Sequence, residues 1–170
     1  MSTPIFVCGA LRSGSSLTHL MLDNNPNINN PGEFDFLFDK ISTGGEFPNM
    51  TAYKEWLSDH RIFQSKRLNI EPSLDYSELI DSFIAQMTQG NCVLALNIHR
   101  NFDSIPYLFP NAKFIHLIRD PRDVARSSIG MGWAGNVYYG VDHWVETEKS
   151  WERLQREISP DQYLEIKFEE

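Results

Sequence analysis

"PIFVCGALRSGSS", residues 4–16, carries the reading on which the fold turns. Residues 5–8 form a short apolar run of the kind that makes a strand buried on both faces. Gly9 and Gly14 then bracket four residues. That is the GxxxxG spacing of a loop that joins a strand to a helix and aims backbone N–H groups at a phosphate. Gly9 permits the tight turn and Gly14 a close approach, while Ser15 and Ser16 add hydroxyl donors. In an ATP-binding loop a lysine follows the last glycine and reaches the β- and γ-phosphates. Here that position is Ser15, and the cation stands inside the loop as Arg12. Either the stretch is a plain strand–helix turn with an exposed arginine, or it holds a phosphate ligand other than ATP.

Three further apolar runs read as strands, over 92–96, 113–118 and, alternating, 163–168. Helical patterns fill the spaces between them. The helix over 15–24 stops before Pro26, and that over 76–89 gathers Leu79, Ile80, Phe83, Ile84 and Met87 on one face. The helix over 120–129 opens with Asp120 as N-cap and Pro121 at the first position. A last helix over 141–158 places Trp144 and Trp151 at core spacing. Alternating strands and helices predict an α/β protein: a three-layer, P-loop-type fold with a mainly parallel central sheet flanked by helices. Ligands of such sheets bind beyond the C-terminal ends of the strands, which selects residues 9–16, 97–101 and 119–123. Residues 1–170 form a single domain by length. The chain ends on a strand without a closing helix, and we expect the natural protein or its relatives to continue further.

The formal net charge of −8 excludes a general nucleic-acid binder, which needs a basic footprint. An anionic ligand must be held by locally placed cations and backbone N–H groups. Cys8 and Cys92 both fall in apolar strand-like runs and read as buried free thiols, in keeping with a reducing compartment. No apolar stretch reaches membrane-spanning length, and the strand starts too early for a signal peptide, so a cytoplasmic location is expected. His19, His60, His116 and His143 show no metal-ligand spacing. Glu146, Glu148, Glu152 and Arg153 read as a solvated helix face. Oligomeric state is not legible.

"KFIHLIRDPRDVARSS", residues 113–128, is the second informative stretch. Arg119 leaves a strand at its C-terminal end, where it could pair with Asp120 or Asp123, and Ser127 follows eight residues later. Together with the first loop, this pattern resembles the sulfotransferases that use 3′-phosphoadenosine 5′-phosphosulfate (PAPS). Their 5′-phosphosulfate loop reads like PKSGTTW or PRSGTS, similar to residues 11–16 here, and their 3′-phosphate segment has an arginine and a serine eight apart. "FPNAKFIHLIRDPRDVA" is close to bacterial and Golgi-type members, and "YLEIKFE" looks like a later family strand. The resemblance implies transfer of the PAPS sulfonate to a hydroxyl (or, second, an amine) of a small-molecule or glycan acceptor. The by-product is 3′-phosphoadenosine 5′-phosphate (PAP), and no metal is required. It assigns Arg12, Ser13, Gly14, Ser15 and Ser16 to the 5′-phosphosulfate, with Arg12 beside the leaving oxygen, and Arg119 and Ser127 to the 3′-phosphate.

Two residues compete for the base. His99, in "ALNIHRNF", matches the histidine of the cytosolic members' Lys-Thr-His, although Asn97 replaces the lysine. An imidazole suits proton abstraction near neutrality, and equally a strand-end hydrogen bond. Glu33, after the Pro31-Gly32 turn, matches the glutamate of glycan- and protein-modifying members, and equally a first-turn helix acid. Glu33 is preferred because the other motifs favour its subgroup. Residues 130–144 are rich in Gly and aromatics and read as a loop covering donor or acceptor, with Trp133, Tyr138 and Tyr139 available for stacking. Two other readings stay open, a P-loop kinase or NTPase and a non-catalytic domain that binds PAP or PAPS.

Overall fold

The computed structural model describes residues 3–168. Five strands form one sheet: β1 (Ile5–Gly9), β2 (Ile28–Asn29), β3 (Val93–Ile98), β4 (Lys113–Ile118) and β5 (Tyr163–Lys167). Their order is β2-β3-β1-β4-β5, and every pairing is parallel. Phe6, Val7 and Cys8 are buried because β1 is central, covered on both faces and paired on both edges. From β1 the chain runs out to β2, returns to β3 beside β1, and then crosses to β4 on the opposite side. That reversal opens a crevice beyond the C-terminal ends of β1, β3 and β4.

Among the described residues six α-helices flank the sheet: α1 (Ser15–Asp23), α2 (Met50–Asp59), α3 (Arg61–Lys66), α4 (Tyr76–Met87), α5 (Pro121–Gly130) and α6 (Val137–Gln155). Their starts follow capping chemistry. Asp75 and Glu78 close a capping box on α4, and the Asp120 side chain accepts from the Arg122 N–H ahead of Pro121 in α5. The core is largely aromatic. Phe6 packs edge-on to Phe38, 5.7 Å between centroids, and Phe36 against Phe63 at 5.3 Å. Residues 34–38, "FDFLF", are buried throughout. Their carbonyls therefore need internal donors, and two tyrosines supply them: Tyr53 Oη donates to the Phe36 carbonyl at 2.9 Å and Tyr76 Oη to the Leu37 carbonyl at 2.6 Å. Burial pushes both phenols well above their ordinary pKa, which keeps them as donors.

Several sequence expectations need correction. The two helices α2 and α3 were not foreseen: each buries so few side chains, Tyr53 and Leu57 in one and Phe63 in the other, that no periodic stripe exists to be read. β3 starts at Val93, one residue later than expected, and runs on to Ile98. Cys92 therefore precedes the strand, half-buried, with its thiol donating to the Pro26 carbonyl at 3.4 Å, whereas Cys8 is fully enclosed and both are free. α6 begins at Val137, capped by Asn136, so the expected loop over 130–144 shrinks to residues 131–136. Gly140 hid that start. A Cβ there would come within 2.8 Å of Ala125 Cα, so the glycine lets α5 and α6 touch backbone to backbone. Trp144 is half-buried rather than core. Glu148 is not solvated; it faces the buried His116 at 3.4 Å, and that imidazole stacks on Trp151. Among the described residues no helix is long and apolar enough to cross a membrane.

Candidate functional site

The crevice beyond β1 and β4 contains a cleft of about 230 Å³. Leu11, Arg12, Gly14, Ser15, Ser16, Leu17, Glu33, Arg119, Trp133 and Phe168 line it, bringing together both informative stretches of the sequence. The loop after β1 is held from within by the Ser13 N–H donating to the Ala10 carbonyl at 3.0 Å. Two consecutive demands shape it. Gly14 has φ +96°, and a Cβ there would lie 2.5 Å from the Phe168 ring. Arg12 also takes the left-handed conformation, φ 74°, which a non-glycine residue adopts only when its surroundings impose it.

Those surroundings are visible. Arg119, at the end of β4, donates from Nη1 to the Arg12 carbonyl at 2.8 Å, tying the second stretch to the first. Arg12 in turn donates from Nε to Ser127 Oγ on α5 at 2.8 Å, and its guanidinium lies 5.8 Å from the Trp133 ring centroid. The Arg119 guanidinium stands 4.5 Å from the Phe168 ring centroid. No side chain caps α1, whose N-cap is Gly14, and no acidic residue sits in its first turn. Two guanidinium groups, two hydroxyls and an uncapped helix start are a donor set suited to a phosphate or sulfate group. Of the residues selected from the sequence, Arg12, Gly14, Ser15, Ser16, Glu33 and Arg119 line the cleft, and Ser127 joins it through Arg12. Ser13 does not: it is buried, 1% exposed, within the loop.

Glu33 and His99 have different surroundings. Glu33 is carried to the cleft by backbone pairing with the end of β3. The Phe34 N–H donates to the Asn97 carbonyl and the Asn97 N–H to the Gly32 carbonyl, each at 2.9 Å. Lys66 Nζ donates to the Pro31 carbonyl at 2.5 Å and braces the turn that precedes Glu33. Burial lowers the Lys66 pKa, against the charge of Glu33, which works to raise it. His99 is 2% exposed and engaged on both sides. Its Nδ1 lies 3.0 Å from Asp35 Oδ2, its Nε2 lies 3.2 Å from Ser15 Oγ, and its backbone N–H donates to Asp35 Oδ1 at 2.6 Å.

Asp35 is the residue behind the cleft that the sequence did not disclose. It sits inside "FDFLF", where an acid between aromatics carries no motif, and only the fold puts it against a histidine 64 positions away. Burial works to raise its pKa. The His99 hydrogen bonds, with the charge of Arg100, outweigh burial and hold the carboxyl below its usual range. The one signal available was a charged residue in an otherwise apolar run, since a buried acid requires a partner.

A second chamber of about 320 Å³ adjoins the cleft and shares Leu11 and Trp133 with it, the rest of its wall being Ser128, Ala134, Tyr139, Gly140 and His143. His143 Nε2 donates to the Leu11 carbonyl at 3.2 Å, and burial lowers its pKa, favouring the neutral ring. A larger depression of about 430 Å³ near Lys66, Arg67 and Gln86 shares no residue with the phosphate-suited cleft.

Comparison with known proteins agrees with this geometry. The family model described as "Sulfotransferase family" matches residues 4–170. A putative protein-tyrosine sulfotransferase of Caenorhabditis briggsae is 26% identical over 132 residues, 74% of this chain and 42% of that protein. The chain spans less than half the length of the curated relatives it matches. Among solved structures, the sulfotransferase domain of the Synechococcus PCC 7002 olefin synthase superposes with TM-score 0.72 at 19% identity, covering 99% of this chain and 66% of that one. A mouse sulfotransferase complexed with PAP gives TM-score 0.51 at 14% identity, covering 98% and 51%. With its parallel sheet, its loop after β1 and a match running the length of the described chain, this protein belongs to the sulfotransferase family.

Proposed function

We propose that the protein is a PAPS-dependent sulfotransferase, moving the sulfonate to a hydroxyl and releasing PAP. The observation that carries the reading is the convergence of Arg12 and Arg119 on one cleft at an uncapped helix start. The solved relative complexed with PAP supports the same nucleotide. In this reading the N–H groups at the start of α1 and the Ser15 and Ser16 hydroxyls hold the 5′-phosphosulfate, while Arg119 and Ser127 hold the 3′-phosphate. Arg12 lines the cleft from a left-handed backbone and is bonded through Nε to Ser127 Oγ. For transfer, that guanidinium exchanges Ser127 for the oxygen that leaves with PAP, stabilising its developing charge.

The acceptor oxygen attacks sulfur, a new S–O bond forms, and the bond from sulfur to the bridging oxygen breaks, leaving that oxygen on the 5′-phosphate of PAP. Glu33 takes the acceptor's proton: it lines the cleft, whereas both ring nitrogens of His99 are already engaged. The adjoining chamber, with exposed Trp133 and Tyr139 and a half-buried His143, would receive an uncharged acceptor with an apolar or aromatic body. A melting assay separates this reading from a kinase or NTPase. PAP without added metal is expected to raise Tm; stabilisation by ATP and Mg²⁺ but not by PAP would overturn it. Radiolabelled PAPS with a panel of alcohols and phenols then tests turnover: a labelled product is expected, and tight PAP binding with no product would mark a binding domain.

A further inference from the structure

The buried pair behind Ser15 has a consequence for how an anion is held in the cleft. Asp35 is 4% exposed and accepts from both the backbone N–H and Nδ1 of His99, so a proton stays on Nδ1. With a neutral ring, Nε2 is an acceptor and the Ser15 hydroxyl donates to it, at 3.2 Å. The Ser15 oxygen then shows only lone pairs to the cleft, an arrangement that repels an anion. A proton on Nε2 reverses every step. Nε2–H donates to Ser15 Oγ, the Ser15 O–H turns to an anion oxygen, and Asp35 balances the imidazolium charge.

We infer that occupation of the cleft by a phosphate or sulfate group is coupled to uptake of one proton from solvent by His99. Asp35 is the positioning residue that makes the uptake possible. The inference rests on the phosphate-cleft reading and adds to it a proton relay, Asp35–His99–Ser15, that does not contact the acceptor. The charged and titratable groups around His99 are few. Asp35 faces it directly, and Arg100 is paired with Asp39 at 2.6 Å and stands 4.0 Å from Asp35. From α6, Thr147 Oγ1 donates to the His99 carbonyl at 3.2 Å, and the His143 ring is bonded to the Leu11 carbonyl. Asp35 thus supplies the counter-charge, and its own environment is fixed by the Tyr53 and Tyr76 bonds to the next two carbonyls.

Sodium sulfate is the probe, because the ion does not itself titrate near neutral pH. Nitrogen-15-labelled protein is titrated with it at constant pH and ionic strength, with sodium chloride as control. Long-range proton–nitrogen spectra report each imidazole nitrogen, and His99→Gln assigns the signals. Sulfate is expected to shift the amides of residues 13–17 and, in parallel, to move His99 Nε2 from the unprotonated to the protonated range. In Asp35→Asn the amide shifts need more sulfate and the Nε2 change is lost. Amide shifts with a His99 ring that does not respond in the wild-type protein would overturn the coupling and leave the cleft assignment standing. Amides that stay silent would overturn both. The wild-type result decides by itself, whether or not Asp35→Asn folds.

Discussion

Arg119 does two things at once: it ends β4 at the crevice and it holds the Arg12 carbonyl in a loop with left-handed backbone. Arg119→Ala is therefore expected to weaken PAP by about 1.5–3 kcal/mol, the loss of charge-assisted contacts, in a calorimetric titration. Unchanged affinity would remove Arg119 from the site. Glu33 and His99 separate by the same logic. Under the proposed function, Glu33→Gln should keep PAP affinity and lose turnover, because the carboxylate is assigned to the acceptor's proton and not to a phosphate group. His99→Ala should weaken PAP as well, because its ring is bonded to Ser15. If His99→Ala alone abolished turnover with PAP binding intact, the base would be His99. The sequence placed His99 directly after a strand and Glu33 after a Pro-Gly turn, but it could not show that the ring of His99 is bonded on both sides.

At the scale of elements, residues 34–38 hold a single 3-10 turn, Asp35–Leu37, packed as core, and two tyrosines from α2 and α4 donate to its carbonyls. Tyr53→Phe and Tyr76→Phe each leave a buried carbonyl without its donor, and each is expected to cost about 1–3 kcal/mol in urea unfolding. Losses near zero would mean that the segment finds other partners. Gly140→Val drives a side chain into Ala125 and should cost about 1–3 kcal/mol, with weaker PAP binding because α5 carries Ser127. These features explain what was legible beforehand. β1, β4, α4 and the start of α5 announce themselves through apolar runs and caps, because their burial is written in neighbouring residues. α2, α3 and the first turn of α6 stay hidden, since sparse burial and a packing glycine leave no periodic trace. The phosphate-suited loop was readable for the same local reason, whereas Asp35 acts only through a contact that the fold creates.

For the whole molecule, acid should act through carboxylates that the fold holds ionised. Asp103 is held by the Arg153 Nε at 2.6 Å and by the Ser150 hydroxyl. Burial works to raise its pKa, but these bonds win and lower it, as happens at Asp35. A depressed folded-state value adds stability above the unfolded carboxyl value of about 4, and that stability disappears as pH falls through the folded value. Urea midpoints are thus expected to hold from neutrality to about pH 5 and to fall below about pH 4, less steeply in Asp103→Asn. An equally steep acid limb in that variant would contradict the assignment. The central claim is that one cleft reads both ends of a 3′-phosphorylated nucleotide. Calorimetric titration of PAP against adenosine 5′-phosphate tests it most directly. PAP should bind tighter by about tenfold or more, with the advantage gone in Arg119→Ala; equal affinity of the two nucleotides for the wild-type protein would contradict it.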